Sequence, residues 1–193
     1  MGLGTVTLST SARLVILWTT LLILWLACRE GTTLKLTYQF LELGQGALIG
    51  LAIGLPLMLL AFRNLVEAIP ILFVRTSPTA VSGVGGTTVF VSLVLLAPLA
   101  EELFFRDLLQ REQGLWIGAG LYAAGGLILF LPTAGQYPIV LLAVAGSWAI
   151  LGVIYSTIFE RLGLAATLAC HVTINFFMLF VPAIRSQFDL FTR

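Results

Sequence analysis

Apolar residues fall along this chain in long runs divided by short polar stretches, not in the period-two alternation of half-buried strands. The first run, Leu14 to Cys28, lies between Arg13 and Arg29-Glu30. A signal peptide opens on a basic segment, which Arg13 alone does not make, so this run is expected to be retained as a transmembrane helix. A second run, from about Gly46 to Phe62, contains Pro56, where a kink is expected. Further helices are expected from Val89 through Pro98 to Leu109, from Leu115 to Leu131 with Pro132 as its stop, from Ile139 to Phe159, and from Leu164 to Val181 before Pro182. Each is long enough to cross roughly 30 Å of hydrocarbon at about 1.5 Å per residue. Between them, Arg29 to Gly44, with Lys35, Tyr38 and Glu42, reads as an interfacial stretch. Ile69 to Val74 is too short to span, and Ser77-Pro78 and Ser82 to Gly86 read as a connector. The pattern predicts an all-α polytopic membrane protein of about six transmembrane helices.

Composition removes the other classes. Of 193 residues, 59% are hydrophobic and 10% charged, and the mean hydropathy is +1.06. A soluble domain carries about 25% charge, and this chain has too little to coat a water-facing surface. The formal net charge of +1 supplies no basic patch, so nucleic acid is excluded as a partner and the lipid bilayer is the expected one. Cys28 and Cys170 sit in apolar runs and are expected as small buried side chains, not as a disulfide or a metal site. With six spans, Arg13, Arg63, Arg75, Arg185 and Arg193 fall on one side and Arg29, Lys35, Arg106, Arg111 and Arg161 on the other, so basic residues set no orientation. No repeat or low-complexity tract divides the chain. One folded unit is expected, with a transmembrane hairpin and connector over 1–88, a core over 89–182 and a tail over 183–193.

Ionisable groups inside a span are expensive, at about 2.5–3.5 kcal/mol on insertion scales, and are functional candidates for that reason. Two clusters stand out. In Glu101-Glu102-Leu103-Phe104-Phe105-Arg106, Glu102 and Arg106 are spaced to pair on one helical face, and Glu101 turns about 100° away. One carboxylate is then neutralised and the other is available as a general base. The alternative is a helix end emerging at the membrane surface, its polar face continued by Asp107, Arg111 and Glu112. In the second cluster, His171 and Asn175 share a face deep in the last helix, either as donors to a developing oxyanion or as a satisfied packing pair. His171 is the only histidine, and adjacent glutamates diverge on a helix, so neither a metal nor another cofactor is expected.

At these residues the sequence resembles the CPBP family, the CAAX-protease and bacteriocin-processing (Abi) proteins. Glu101-Glu102-x-x-x-Arg106 with its lead-in Leu96-Ala97-Pro98 resembles the family's first motif, and His171-x-x-x-Asn175 its last, over about Val89 to Phe180. The stretch from Leu151 to Gly163 also reads like the family's approach to the last motif. The resemblance implies a CPBP/Abi-like helical core and an intramembrane endopeptidase acting on a membrane-tethered peptide or protein. In that implied scheme Glu101 is the base that activates water, Glu102 with Arg106 orients that base, and His171 with Asn175 holds the oxyanion. The chain departs from the pattern twice. The middle motif, Phe-x-x-x-His, aligns with Phe130 to Ala134, so alanine stands in the place of a histidine that helps hold the water. Gly normally follows the first motif's Arg, and Asp107 stands there instead.

Thr133 and Tyr137 are hydrogen-bonding substitutes near position 134, and neither is a base at neutral pH. The expectation is therefore an impaired or inactive peptidase, a possible pseudoprotease. The competing expectation is a non-catalytic membrane subunit that binds or assembles another membrane protein complex. A transporter or channel has less support, because no paired broken helices are visible.

Overall fold

The structure, a computed structural model, describes residues 10–29, 40–69, 90–134 and 138–185. Among these residues it is helical and contains no strand. Helix α1 is Thr10–Cys28 and α2 is Phe40–Ile69. Helix α3 covers residues 90–113 and changes its winding along the way. Phe90–Leu96 is π-helical, Ala97–Glu102 α-helical, Leu103–Gln110 π-helical and Arg111–Gln113 α-helical. Helix α4 is Leu115–Ala134. The stretch Pro138–Asn175 breaks at Gly163 into α5 (138–162) and α6, which continues to residue 185 (164–185) and is again π-helical over Phe176–Phe180.

Two glycines make the hairpins. Gly114 (φ 86°) ends α3 and Gly163 (φ 83°) ends α5, each in a backbone conformation that a side chain resists. The reversal at Gly163 is visible in ring packing, since Tyr155 and His171 stack with centroids 4.4 Å apart. On a straight helix those residues would sit about 24 Å apart. Across Gly114, Phe105 meets Tyr122 edge-on at 5.3 Å. Gly163 also receives a hydrogen bond on its carbonyl from the Thr167 hydroxyl at 2.9 Å, which satisfies a buried polar group at the turn.

Helix α2 lies almost backbone to backbone against α6. A Cβ at Gly46 would overlap the carbonyl oxygen of Ala166, and one at Gly50 would come within 2.6 Å of the Cys170 carbonyl oxygen. Small residues four apart let helices approach in this way, and the spacing was present in the sequence without being read as an interface. Two buried clusters result. One joins Leu14 and Trp18 of α1 to Leu93, Ala97 and Ala100 of α3, and the other gathers Phe105, Tyr122, Tyr155, Cys170 and Ile174.

Large apolar side chains such as Leu60, Trp116, Ile128 and Ile150 face outward. That inversion suits hydrocarbon and not water. Phe40–Glu67 and Ala145–Arg185 are long and apolar enough to cross a membrane, while Leu14–Cys28 and Leu115–Ile128 are shorter apolar helices.

Several expected boundaries move. Helix α2 extends beyond the expected Gly46 to Phe62 at both ends and takes in part of the stretch expected at the interface. The apolar run marks depth in hydrocarbon, whereas the backbone ladder continues into polar sequence. At its far end Arg63 and Glu67 pair at 3.6 Å on an exposed turn. Pro56 stays inside α2, and α4 passes Pro132 to end at Ala134. A proline so near a C-terminus forfeits a single ladder bond. Cys28, expected to be buried, is exposed on the last turn of α1, while Cys170 is buried. Lys35, Tyr38, the apolar piece ending at Val74, the Ser77 to Gly86 connector and Tyr137 lie outside the described residues.

Candidate functional site

Glu102, Arg106 and Gln110 follow one another at four-residue spacing along the face of α3 that meets α5 and α6. All three are buried, and Arg106 is 0% exposed. Arg106 Nε lies 3.4 Å from Glu102 Oε2, close enough for an ion pair but not aligned as a hydrogen bond. Its guanidinium also sits 4.9 Å over the Tyr122 ring. Gln110 Nε2 donates to the Ser156 carbonyl at 2.9 Å and ties α3 to α5.

Glu102 turns its other oxygen to α6. His171 Nδ1 and Glu102 Oε1 are 2.7 Å apart, a buried hydrogen bond that fixes which ring nitrogen faces Glu102. The ring is clamped from the side by its stack on Tyr155. Its second nitrogen, Nε2, then faces Glu101 Oε2 at 3.9 Å. The single histidine therefore stands between both glutamates.

Glu101 itself is not solitary. Trp18 Nε1 of α1 donates to Glu101 Oε1 at 3.1 Å, across 83 residues of sequence. Asn175 Nδ2 donates to the Leu93 carbonyl at 2.9 Å, which leaves the amide one further N–H. The Leu93 carbonyl belongs to a π-helical stretch, and the other two π-helical stretches directly follow Glu102 and Asn175. π-Helical turns of this kind recur at functional sites.

Glu101, His171 and Asn175 open onto a cavity of about 390 Å³ walled mainly by apolar side chains, among them Leu57, Leu93, Ile154 and Met178. Trp18 and Tyr122 complete its polar end. Glu102 and Arg106 lie behind this wall and do not line the cavity. Of the five residues singled out from sequence, three thus face the cavity and two support them from behind. The side chains of Phe130 to Ala134 lie outside the described residues, so the place of the missing histidine is not part of this geometry. Among the described residues no group of three or more His, Cys, Asp or Glu side chains is arranged to hold a metal ion.

Asp107, the second departure from the family pattern, has its own partners. It accepts a hydrogen bond from Trp25 Nε1 of α1 at 3.0 Å and pairs with Arg111 at 2.9 Å. Asp107→Ala is expected to lower stability in detergent by about 1.5–3 kcal/mol, the range for a hydrogen bond to a charged group. In thermal unfolding the double variant with Trp25→Phe should lose little more than Asp107→Ala alone, because both remove the same contact.

A buried glutamate pair, an imidazole between them and an apolar cavity in front thus meet within one helical bundle. Residues 83–177 match the family model described as Rce1-like, type II CAAX prenyl endopeptidase Rce1-like, and this half of the chain belongs to that family within the CPBP proteins. The family is one of CAAX-protease-type membrane endopeptidases. No curated protein and no solved structure matches the chain. Sequence reasoning missed Trp18, Tyr122 and Tyr155. Each is a polar-tipped aromatic within an apolar run, which was the available signal.

Proposed function

We propose that this chain is a multi-pass integral membrane protein of the CAAX-protease type, with six helices in the bilayer. Its N-terminal hairpin and connector (1–88) complete a peptidase-type core (89–182), followed by a short tail (183–193). A membrane-tethered peptide is the substrate class, and hydrolysis is impaired because residue 134 is not histidine. The observation that carries this reading is the convergence of Glu101, His171 and Asn175 on one end of the apolar cavity. The 41 residues of Ala145–Arg185, folded back at Gly163, support two passes in place of one.

The separation of 3.9 Å between Glu101 Oε2 and His171 Nε2 is too long for a direct hydrogen bond, yet both atoms can contact one water molecule. Glu101 takes a proton from that water as its oxygen bonds to the peptide carbonyl carbon. The carbonyl electron pair moves to oxygen, where His171 and Asn175 donate hydrogen bonds. The C–N bond then breaks, and the amine leaves with the proton that Glu101 held. His171 donates from Nε2, the ring nitrogen that faces Glu101, while Glu102 holds the ring at Nδ1. No residue in this set replaces the middle-motif histidine as a second holder of the water. A missing member of a cooperating unit lowers the rate by about 10²–10⁴-fold.

A second reading is favoured by a different observation. Trp18, Gln110 and Asn175 all spend hydrogen-bond donors on neighbouring helices. A non-catalytic subunit that binds another membrane protein complex needs only such a network, at about 0.6 kcal/mol per bond.

Purified full-length protein in liposomes, given a prenylated CAAX peptide, separates the two. Slow cleavage by the wild type is expected, lost in Glu101→Ala and raised about tenfold or more by Ala134→His. Absence of cleavage in every variant, with a stoichiometric partner retained by wild type and Glu101→Gln alike in mild detergent, overturns the peptidase reading in favour of the subunit.

A further inference from the structure

Helix α1 ends at Cys28, far before the segment that matches the family, yet it reaches the site. Two indole N–H groups of α1 bond two carboxylates of α3, Trp18 to Glu101 at 3.1 Å and Trp25 to Asp107 at 3.0 Å. Both tryptophans are buried. Trp18 and Trp25 are two turns apart on α1, so one face of that helix serves both bonds. An indole N–H donates only and does not exchange its proton with a carboxylate under ordinary conditions, so its effect on Glu101 is one of orientation.

We infer that Trp18 is a positioning residue for Glu101, and that α1 is part of the site and not merely a membrane anchor. The inference rests on the reading of Glu101 as the base. With Oε1 held by the indole, the carboxylate plane is fixed and Oε2 is the oxygen presented to His171 Nε2. The imidazole is fixed in turn by Glu102 and the Tyr155 ring. Each side of the 3.9 Å gap thereby has its own support, one from α1 and one from α3 and α5. Without the indole, the Glu101 carboxylate keeps only the Tyr122 hydroxyl as a side-chain hydrogen-bond partner, a single tie about which it can turn, and the two reacting groups lose their common geometry. A misplacement of about 1 Å in such a pair lowers the rate by about 10²-fold.

The test has a spectroscopic arm independent of catalysis. Full-length protein labelled with ¹⁵N-tryptophan in micelles has four tryptophans and hence four indole N–H signals. Trp18→Phe and Trp25→Phe identify two of them. Glu101→Gln, which leaves Trp18 in place, is expected to shift the Trp18 signal upfield and leave the Trp25 signal unmoved. Asp107→Asn should do the reverse. A Trp18 signal indifferent to Glu101→Gln overturns the inference, whatever the protein cleaves.

The kinetic arm uses the prenylated peptide in liposomes. Trp18→Phe keeps an aromatic wall and removes the donor, and it is expected to lower kcat about tenfold to a hundredfold with KM unchanged. A rise in KM at constant kcat would make Trp18 a wall of the cavity and overturn its positioning role. If the Trp18 signal does respond to Glu101→Gln but no variant cleaves, the reading of Glu101 as a base fails and Trp18 is reduced to a structural tie, which also overturns the inference.

Discussion

Arg106→Ala is expected to destabilise the protein by about 3–5 kcal/mol, the range for breaking a buried ion pair from one side. The guanidinium is 0% exposed and the Glu102 carboxylate 1% exposed. Glu101 is the neighbouring residue, and the His171 ring lies beside both carboxylates. Removing Arg106 leaves two carboxylates against one imidazole in a low-dielectric surround, and it also opens a void beside Tyr122. The guanidinium nitrogens make no hydrogen bond among the described residues, so charge and ring contact hold this side chain, not a fork of directed bonds. The double variant Glu102→Gln with Arg106→Leu removes both charges at similar volume and should recover most of the loss. Denaturation in detergent by heat or by a denaturing surfactant measures both. Equal losses in the single and double variants would mean that volume, not charge, explains the effect.

The contrast between those charges and the rest of the site explains what was legible in the sequence. Glu102 and Arg106 lie within one turn of one helix, where spacing alone dictates that they meet. The hairpin at Gly163 was legible for a similar reason, because Glu160-Arg161 and a glycine interrupt two apolar runs. Glu101 was read as pointing away from the pair, and it does line the cavity while Glu102 does not. Its partner Trp18 stands 83 residues away, a distance over which no local periodicity carries information. The same holds for Asn175 and Leu93, 82 residues apart. The π-helical turns are equally silent in sequence, since their winding answers to packing between helices and not to residue propensity. Helix ends were misplaced where polar residues continue an apolar helix, as at Arg63 and Glu67, because hydropathy reports the solvent outside a helix and not the ladder within it. Expected spans and observed helices therefore agree in order more closely than in length.

Glycine at 46 and 50 is expected not to tolerate even one added methyl group. On an ordinary helix Gly→Ala stabilises by up to about 1 kcal/mol. Gly44 tests that baseline, since a Cβ there meets nothing within 4 Å, and Gly44→Ala is expected to be neutral or slightly stabilising. Gly46→Ala drives its methyl into the Ala166 carbonyl, and Gly50→Ala places one 2.6 Å from the Cys170 carbonyl oxygen and 2.8 Å from Thr173 Cβ. The obstacles are mostly backbone, which has no rotamer to yield, so α2 and α6 must separate. Overpacking of this kind lowers stability by about 1–3 kcal/mol. The same movement reaches the site, because Cys170 precedes His171 on α6 and the imidazole depends on contacts of 2.7 Å to Glu102 and 4.4 Å to Tyr155. Loss of stability in Gly46→Ala and Gly50→Ala but not in Gly44→Ala, read by thermal unfolding in one detergent, is the expected pattern. Equal behaviour of all three would place α2 farther from α6 than a glycine seam allows, and the support of His171 would then have to come from α3 and α5 alone.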